Sequence, residues 1–323
     1  MKWFLRLSVP ALTMLSFGVL MSSCDHKKPE APPPPVVDAP APETMSADSL
    51  GDLVAKLRKP EPKTYVAPNT EEAEQYRAWL GHLTEISALG VLPSKEAPNG
   101  FVGHFAASGT VWVLAEAPTK RRGAGVVLLR ADAKNDLVVE CPHSFFDEGT
   151  LPVALTVFNT LKARALLINT VHRGGIGSDE LRLKRALSGE SEADVAHRSD
   201  TFFHAAHLEL SNRLPGASFL QLHGYRDEKL PGVRFVVSGA GSRAKPEPIS
   251  RALNVVFGVG SARNYPLEVK QLGGTQNVQA KASIVSGHRF IHIEIAASLR
   301  DGLKRQESLR VKFAQAVAQG LEP

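Results

Sequence analysis

Short, unbroken apolar runs place the tightest constraint on what this chain can fold into. Ala165-Leu166-Leu167-Ile168 carries no polar residue, and Leu137-Val138-Val139 and Phe219-Leu220 are equally uniform over shorter spans. A strand with one wet face alternates polar and apolar side chains, whereas a strand buried on both faces does not. Helices covering both sides of a mostly parallel sheet produce the second pattern. Strand-like runs at 101–115 and 125–130 suggest a meander, and others follow at 137–141, 165–170, 218–223, 233–238 and 289–295. Helical periodicity falls between them at 152–164, 201–213, 248–257 and 303–321. The expected class is α/β: one domain, with a mostly parallel or mixed sheet covered by helices on both faces.

The N-terminal part is built differently. Residues 1–23 open with Lys2 and Arg6, continue through an apolar stretch to Leu20, and end in Ser22 and Ser23 before Cys24, the layout of a secretory signal. Leu20-Met21-Ser22-Ser23-Cys24 resembles a bacterial lipobox, in which Cys24 takes the lipid and becomes the new N-terminus. Asp25 after that cysteine favours the periplasmic face of the inner membrane over the outer membrane, by resemblance to enterobacterial sorting signals. The proline-rich tract from Ala31 to Pro42 reads as an extended stalk, so residues 24–69 are expected to be linker and 70–323 the folded domain. With 43% hydrophobic and 22% charged residues the body is an ordinary globular protein, neither collagen nor coiled coil. The formal charge of +5 falls to +3 once Lys2 and Arg6 are removed, too little to indicate nucleic acid as a partner. If Cys24 is lipidated, Cys141 has no partner for a disulfide and is expected in the core.

In open α/β sheets ligands bind beyond the carboxyl ends of the strands. Four runs end in, or carry, chemically useful side chains: His143 after the first, Arg173 after the second, His223 at the end of the third and Glu294 within the last. Two histidines and a carboxylate converging on one cation would give the three protein ligands of a catalytic zinc site. His143 with Asp147 or Glu148 could supply two of them, or could equally be a turn histidine with a helix-capping acid. Glu294 sits among apolar residues, sharing a strand face with His292, and a buried carboxylate needs a cation or a bound water. Asp194 and His197, on the segment between the Arg173 and His223 strands, are expected to line a substrate cleft. His204 and His207 lie three apart on a helix, which fits a half-exposed surface better than a second metal site.

Taken in order, Pro142-His143-x-x-x-Asp147-x-Gly149-Thr150, Val171-His172-Arg173, Gln221-Leu222-His223-Gly224, Gly274-Thr275-x-Asn277-Val278-Gln279 and His292-Ile293-Glu294 resemble the zinc metallocarboxypeptidase superfamily. They look closest to its branch of poly-γ-glutamate hydrolases and N-formylglutamate amidohydrolases. The resemblance implies one zinc ion held by His143, Asp147 and His223, with Glu294 as general base. It also implies Arg173 as the group that binds a carboxylate or polarises the scissile carbonyl, and Asn277 near the substrate. In that family the acidic ligand is usually Glu, which makes Glu148 a rival to Asp147. The expected activity is cleavage of an amide bond in a peptide or N-acyl amino acid by an envelope-tethered enzyme. The alternative is a non-catalytic lipoprotein of the same fold that binds cell-wall peptides or a protein.

The lipobox carries a direct test. Cells fed labelled palmitate should place label on the parent protein and none on Cys24→Ala; label retained by the variant would remove Cys24 as the anchor.

Overall fold

Nine strands hydrogen-bond into one mixed sheet within the residues that the computed structural model describes, 50–88, 97–98, 100–106 and 109–321. The expected signal segment, Cys24 and the proline-rich tract lie outside the described residues. In chain order the strands are β1 (Phe101–Phe105), β2 (Val111–Glu116), β3 (Val126–Arg130), β4 (Leu137–Cys141), β5 (Ala165–Ile168), β6 (Ser218–Tyr225), β7 (Phe235–Ser238), β8 (Ala262–Tyr265) and β9 (Arg289–Ala296). Their spatial order is β1-β2-β3-β5-β4-β6-β9-β7-β8. An antiparallel meander, β1 to β3, joins a parallel centre of β5, β4, β6 and β9, and β7 with β8 completes the far edge.

The apolar runs behave as their composition requires. Every residue of β3, β4 and β5 is buried, and successive side chains enter opposite cores. Leu137, Val139 and Cys141 join one apolar cluster, while Val138 joins the other. The first cluster is closed by helices α1 (Leu50–Arg58), α3 (Thr150–Thr160), α6 (Glu247–Phe257) and α9 (Glu307–Leu321), and the second chiefly by α2 (Thr70–Ala88) and α5 (Phe202–Arg213). Three further helices are α4 (Asp179–Ser188), α7 (Val278–Val285) and α8 (Ala297–Arg305), the last following directly from β9. Full burial of side chains such as Phe158, Phe219, Phe290 and Phe313 contributes about 1.5–3 kcal/mol each. Cys141 is completely buried, as expected, and burial pushes its thiol up to about 12. Among the described residues no helix is long and apolar enough to cross a membrane.

The structure corrects several sequence expectations. The linker does not run to residue 69: α1 inserts Leu53 and Val54 into the first core, and Glu61 accepts hydrogen bonds from the His172 backbone and from Arg182. The single helix expected over 303–321 is two, because the chain extends at Gln306; the carbonyls freed at Leu303 and Lys304 are taken by the Arg310 guanidinium. The stretch after Arg173 leads into a helix absent from the expected set, α4, where the Ser178 hydroxyl accepts from the Leu181 amide. Strand β8, Ala-Arg-Asn-Tyr, has no apolar run to betray it and lies at the sheet edge.

If α1 belongs to the core, Leu53→Ala should cost about 2–5 kcal/mol, read from the urea midpoint of the soluble body. A cost below about 0.5 kcal/mol, as for a surface position, would return this segment to linker.

Candidate metal centre

Parallel pairing is what gathers the polar side chains at one edge. His223 on β6 stands opposite Glu294 on β9, and Gln221 opposite His292, all near the carboxyl ends. Strand β4 ends at Cys141, and the chain then turns so tightly that the Phe146 and Asp147 amides both donate to the His143 carbonyl, at 3.0 and 2.8 Å. That turn folds the Asp147 carboxylate back onto the His143 ring. Gly149 closes it with φ of 94°, and a Cβ there would sit 2.9 Å from the Arg300 carbonyl, so the position accepts little but glycine. Thr150 is the first residue of α3, and its hydroxyl donates to the Asp147 carbonyl.

Three donor atoms face one another. His143 Nδ1 lies 3.3 Å from Asp147 Oδ2, and His223 Nδ1 lies 3.7 Å from the same oxygen. Charge-assisted N–H to carboxylate bonds are usually about 2.7–2.9 Å. Two ligands each about 2.05 Å from a tetrahedral zinc ion lie about 3.3 Å apart, which suits the observed spacing better. The outer nitrogens are engaged already: His143 Nε2 donates to Asp194 Oδ1 at 2.9 Å, and His223 Nε2 to Gln221 Oε1 at 2.6 Å. Such bonds direct a bare Nδ1 lone pair inward, the arrangement metal-ligating histidines adopt. The donor chemistry and the spacing therefore fit a zinc ion.

Electrostatics separate the members of the cluster. Burial and the Arg173 charge work to lower the His143 pKa, but Asp194 and the hydrogen bonds to both carboxylates outweigh them and hold it above the ordinary value. His223 has no such support; burial, then His292 and His143, drop it well below the usual range. His292 is lowered to about 3 by burial. Burial acts on Glu294 in the opposite sense and, with the Asp147 charge, raises it to about 8. Glu294 Oε2 and His292 Nδ1 are buried without a hydrogen-bond partner, and His292 Nε2 stands 3.9 Å from Glu294 Oε1. These groups open on a cavity of about 270 Å³ lined also by Arg173, His197 and the loop from Leu272 to Asn277.

No protein-family model matches the sequence, and no curated protein does. Solved structures do. A bacteriophage poly-γ-glutamate hydrolase aligns at 15% identity and a TM-score of 0.42, over 61% of this chain and 87% of its own. An N-formylglutamate amidohydrolase from Ralstonia eutropha aligns at 15% identity and 0.38, over 60% and 95%. A metallo-carboxypeptidase from Pseudomonas aeruginosa aligns at 14% identity and 0.35, over 73% and 67%. These are the groups that the order of the motifs resembles, and likeness at this level does not extend to activity.

The structure sorts the sequence candidates. His143, Asp147 and His223 converge, with Glu294, Arg173, His197 and Asn277 lining the same cavity. Glu148 is no rival to Asp147, since it is exposed and paired with Lys304. Asp194 does not line the cleft: it is 1% exposed, with Oδ1 on His143 and Oδ2 on Arg173 and His197. Burial opposes its charge, yet those three partners prevail and hold its carboxyl well below the usual range. His204 and His207 are not half-exposed; both are buried, their rings stacked 6.0 Å apart, and they join no metal-ligand cluster among the described residues. Two residues of the sequence motifs carried no expected role: Gln221, two places before His223 and so on the same strand face, bonds the His223 ring, and Gly274, at φ 64°, lets the loop close on His292, whose ring a Cβ would meet at 2.7 Å.

A carboxyl raised to about 8 in the native state, against about 4.3 unfolded, keeps its proton longer when folded. Stability from this group is therefore lost as pH rises between those values. In metal-free protein Glu294→Gln should melt progressively higher than the parent from about pH 5 to pH 8; a gap that is constant or shrinks contradicts burial as the cause.

Proposed function

We propose that the chain is a zinc-dependent amide hydrolase acting on a peptide or N-acyl amino acid, held at the cell envelope through a lipid on Cys24. One observation carries this reading: three donor atoms, two of them on histidines whose far nitrogens are already hydrogen-bonded, converge beside a buried, unpartnered carboxylate oxygen. His143, Asp147 and His223 would hold the ion. When bound, zinc supplies Lewis-acid polarisation of a carbonyl and lowers the pKa of water toward ~7.

The remaining work falls to this chain's own side chains. Glu294 Oε2 is free to take the proton from the water that attacks the carbonyl carbon, and to return it to the nitrogen as the C–N bond breaks. Without a metal its carboxyl is raised to about 8, and the positive charge of a bound cation would favour the carboxylate form that accepts the proton. Arg173 is held by Asp194 through one Nη, while the guanidinium still faces the cavity, so its remaining donors can bind the carbonyl oxygen or a substrate carboxylate. His197 and Asn277 adjoin, since the Val278 amide donates to the Ala196 carbonyl, and would contact the substrate from that wall. Burial of Glu294 Oε2 keeps bulk water from it.

The test is one variant and two readouts. Glu294→Gln keeps volume and should keep zinc at one equivalent, while turnover of a peptide or acyl amino acid falls by ~10²–10⁴. Zinc retained with unchanged turnover would remove Glu294 as the base. A parent protein that takes up no zinc and hydrolyses nothing would leave a binding lipoprotein of this fold.

A further inference from the structure

Behind the centre runs a polar chain that the reaction does not touch. His223 Nε2 meets Gln221 Oε1; Gln221 Nε2 donates to Glu140 Oε2 at 2.9 Å and to Gln279 Oε1 at 3.4 Å. Glu140 Oε1 accepts from His207 Nδ1 at 2.8 Å, and His207 Nε2 lies 3.3 Å from the Ser283 hydroxyl. Glu140, His207, Gln221, Gln279 and Ser283 are each 0% exposed, so water cannot replace any of these contacts.

We propose that Gln221 is a positioning residue that fixes His223 in the tautomer protonated on Nε2, leaving Nδ1 bare for a cation; this rests on the zinc reading above. An amide can turn end for end, so the claim depends on what prevents the flip. Three neighbours do. Asn277 Oδ1 is committed to the Gln279 and Ala280 amides at the start of α7, which forces its amide hydrogens toward Gln221 Oε1. Gln279 Nε2 is committed to the Val195 carbonyl at 2.9 Å, which leaves its Oε1 to accept. The Glu140 carboxylate is acceptor only. A flipped Gln221 would set its carbonyl against two acceptors and its NH₂ against the Asn277 NH₂, in a site with no water to relieve either. Its oxygen therefore faces His223, and the opposite tautomer would press a lone pair against that oxygen at 2.6 Å.

The tautomer can be read directly. Nitrogen NMR of metal-free parent protein carrying isotope-labelled histidine, with the His223 signals assigned by their loss in His223→Asn, should show Nε2 protonated and Nδ1 bare. Gln221→Met keeps length but removes the acceptor, so His223 should populate both tautomers and zinc affinity should fall ~10–100-fold. The exchange Gln221→Glu with Glu140→Gln keeps an acceptor facing His223 and a donor facing the new carboxylate, and should keep the parent's tautomer and affinity. Melting of each metal-free protein separates packing from tautomer. Nδ1 protonated in the parent, or parent zinc affinity in a stably folded Gln221→Met, overturns the proposal, and the parent spectrum decides even if neither variant folds. If the parent shows Nε2 protonated yet binds no zinc, the metal reading fails while the tautomer assignment stands.

Discussion

One buried carboxylate holds the site in register. Asp194 is drawn to 1% exposure and binds His143, Arg173 and His197 at once, three residues from three separate segments. A charge taken from water to this depth is tolerable only when its partners satisfy both oxygens, and removing one partner of such a set leaves the others exposed to the full cost. Position is the consequence. The His143 ring cannot rotate away from Asp147 without breaking its bond to Asp194, and the Arg173 guanidinium cannot leave the cavity wall without stranding the same carboxylate. Ligand geometry, cavity charge and local stability are thus coupled through a single group.

That group was also the one least legible in the sequence. The strands could be read because burial on both faces writes itself as uninterrupted apolar residues, as at 137–139 and 165–168. The parallel arrangement then brought the polar residues at the strand ends together, as the topology of such sheets requires. Asp194 lies in a loop, where nothing in the neighbouring residues reveals whether a carboxylate faces solvent or the back of a histidine. The same lack of local signal hid β8, whose four residues alternate, and made a packed pair of histidines in α5 look like a half-wet surface. Asp147 and Glu148 were indistinguishable by type; the tight turn that bonds two amides to the His143 carbonyl decides between them, since it aims residue 147 inward and residue 148 out.

Outside the ligands, the apolar sheet sets the chemistry by exclusion. Glu294 rises to about 8 chiefly because burial keeps water from it, and the Asp147 charge adds to the shift. His292 and His223 fall for the same reason with the opposite sign. His143 alone goes up, because it alone has carboxylates at both nitrogens. One dry environment therefore moves Glu294 up and the imidazoles of His223 and His292 down, while His143 goes up through its two carboxylate partners.

The segment ahead of α2 enters this arrangement from outside the sheet. Glu61 accepts from the His172 amide and from both contacts of the Arg182 guanidinium, so it braces the loop that carries Arg173 at its base and at the helix that follows. Arg58, one turn earlier, donates to the Ser144 carbonyl and lies 4.0 Å over the Phe145 ring, bracing the turn that carries His143 and Asp147. Both braces are ionic or hydrogen-bonded contacts across more than 80 residues of sequence, and they order two loops that the strands alone leave hanging beyond their ends. A stalk that merely spaced the domain from an anchor would have no cause to make them. Residues from Leu50 to Glu61 are part of the scaffold that aims Arg173 and His143.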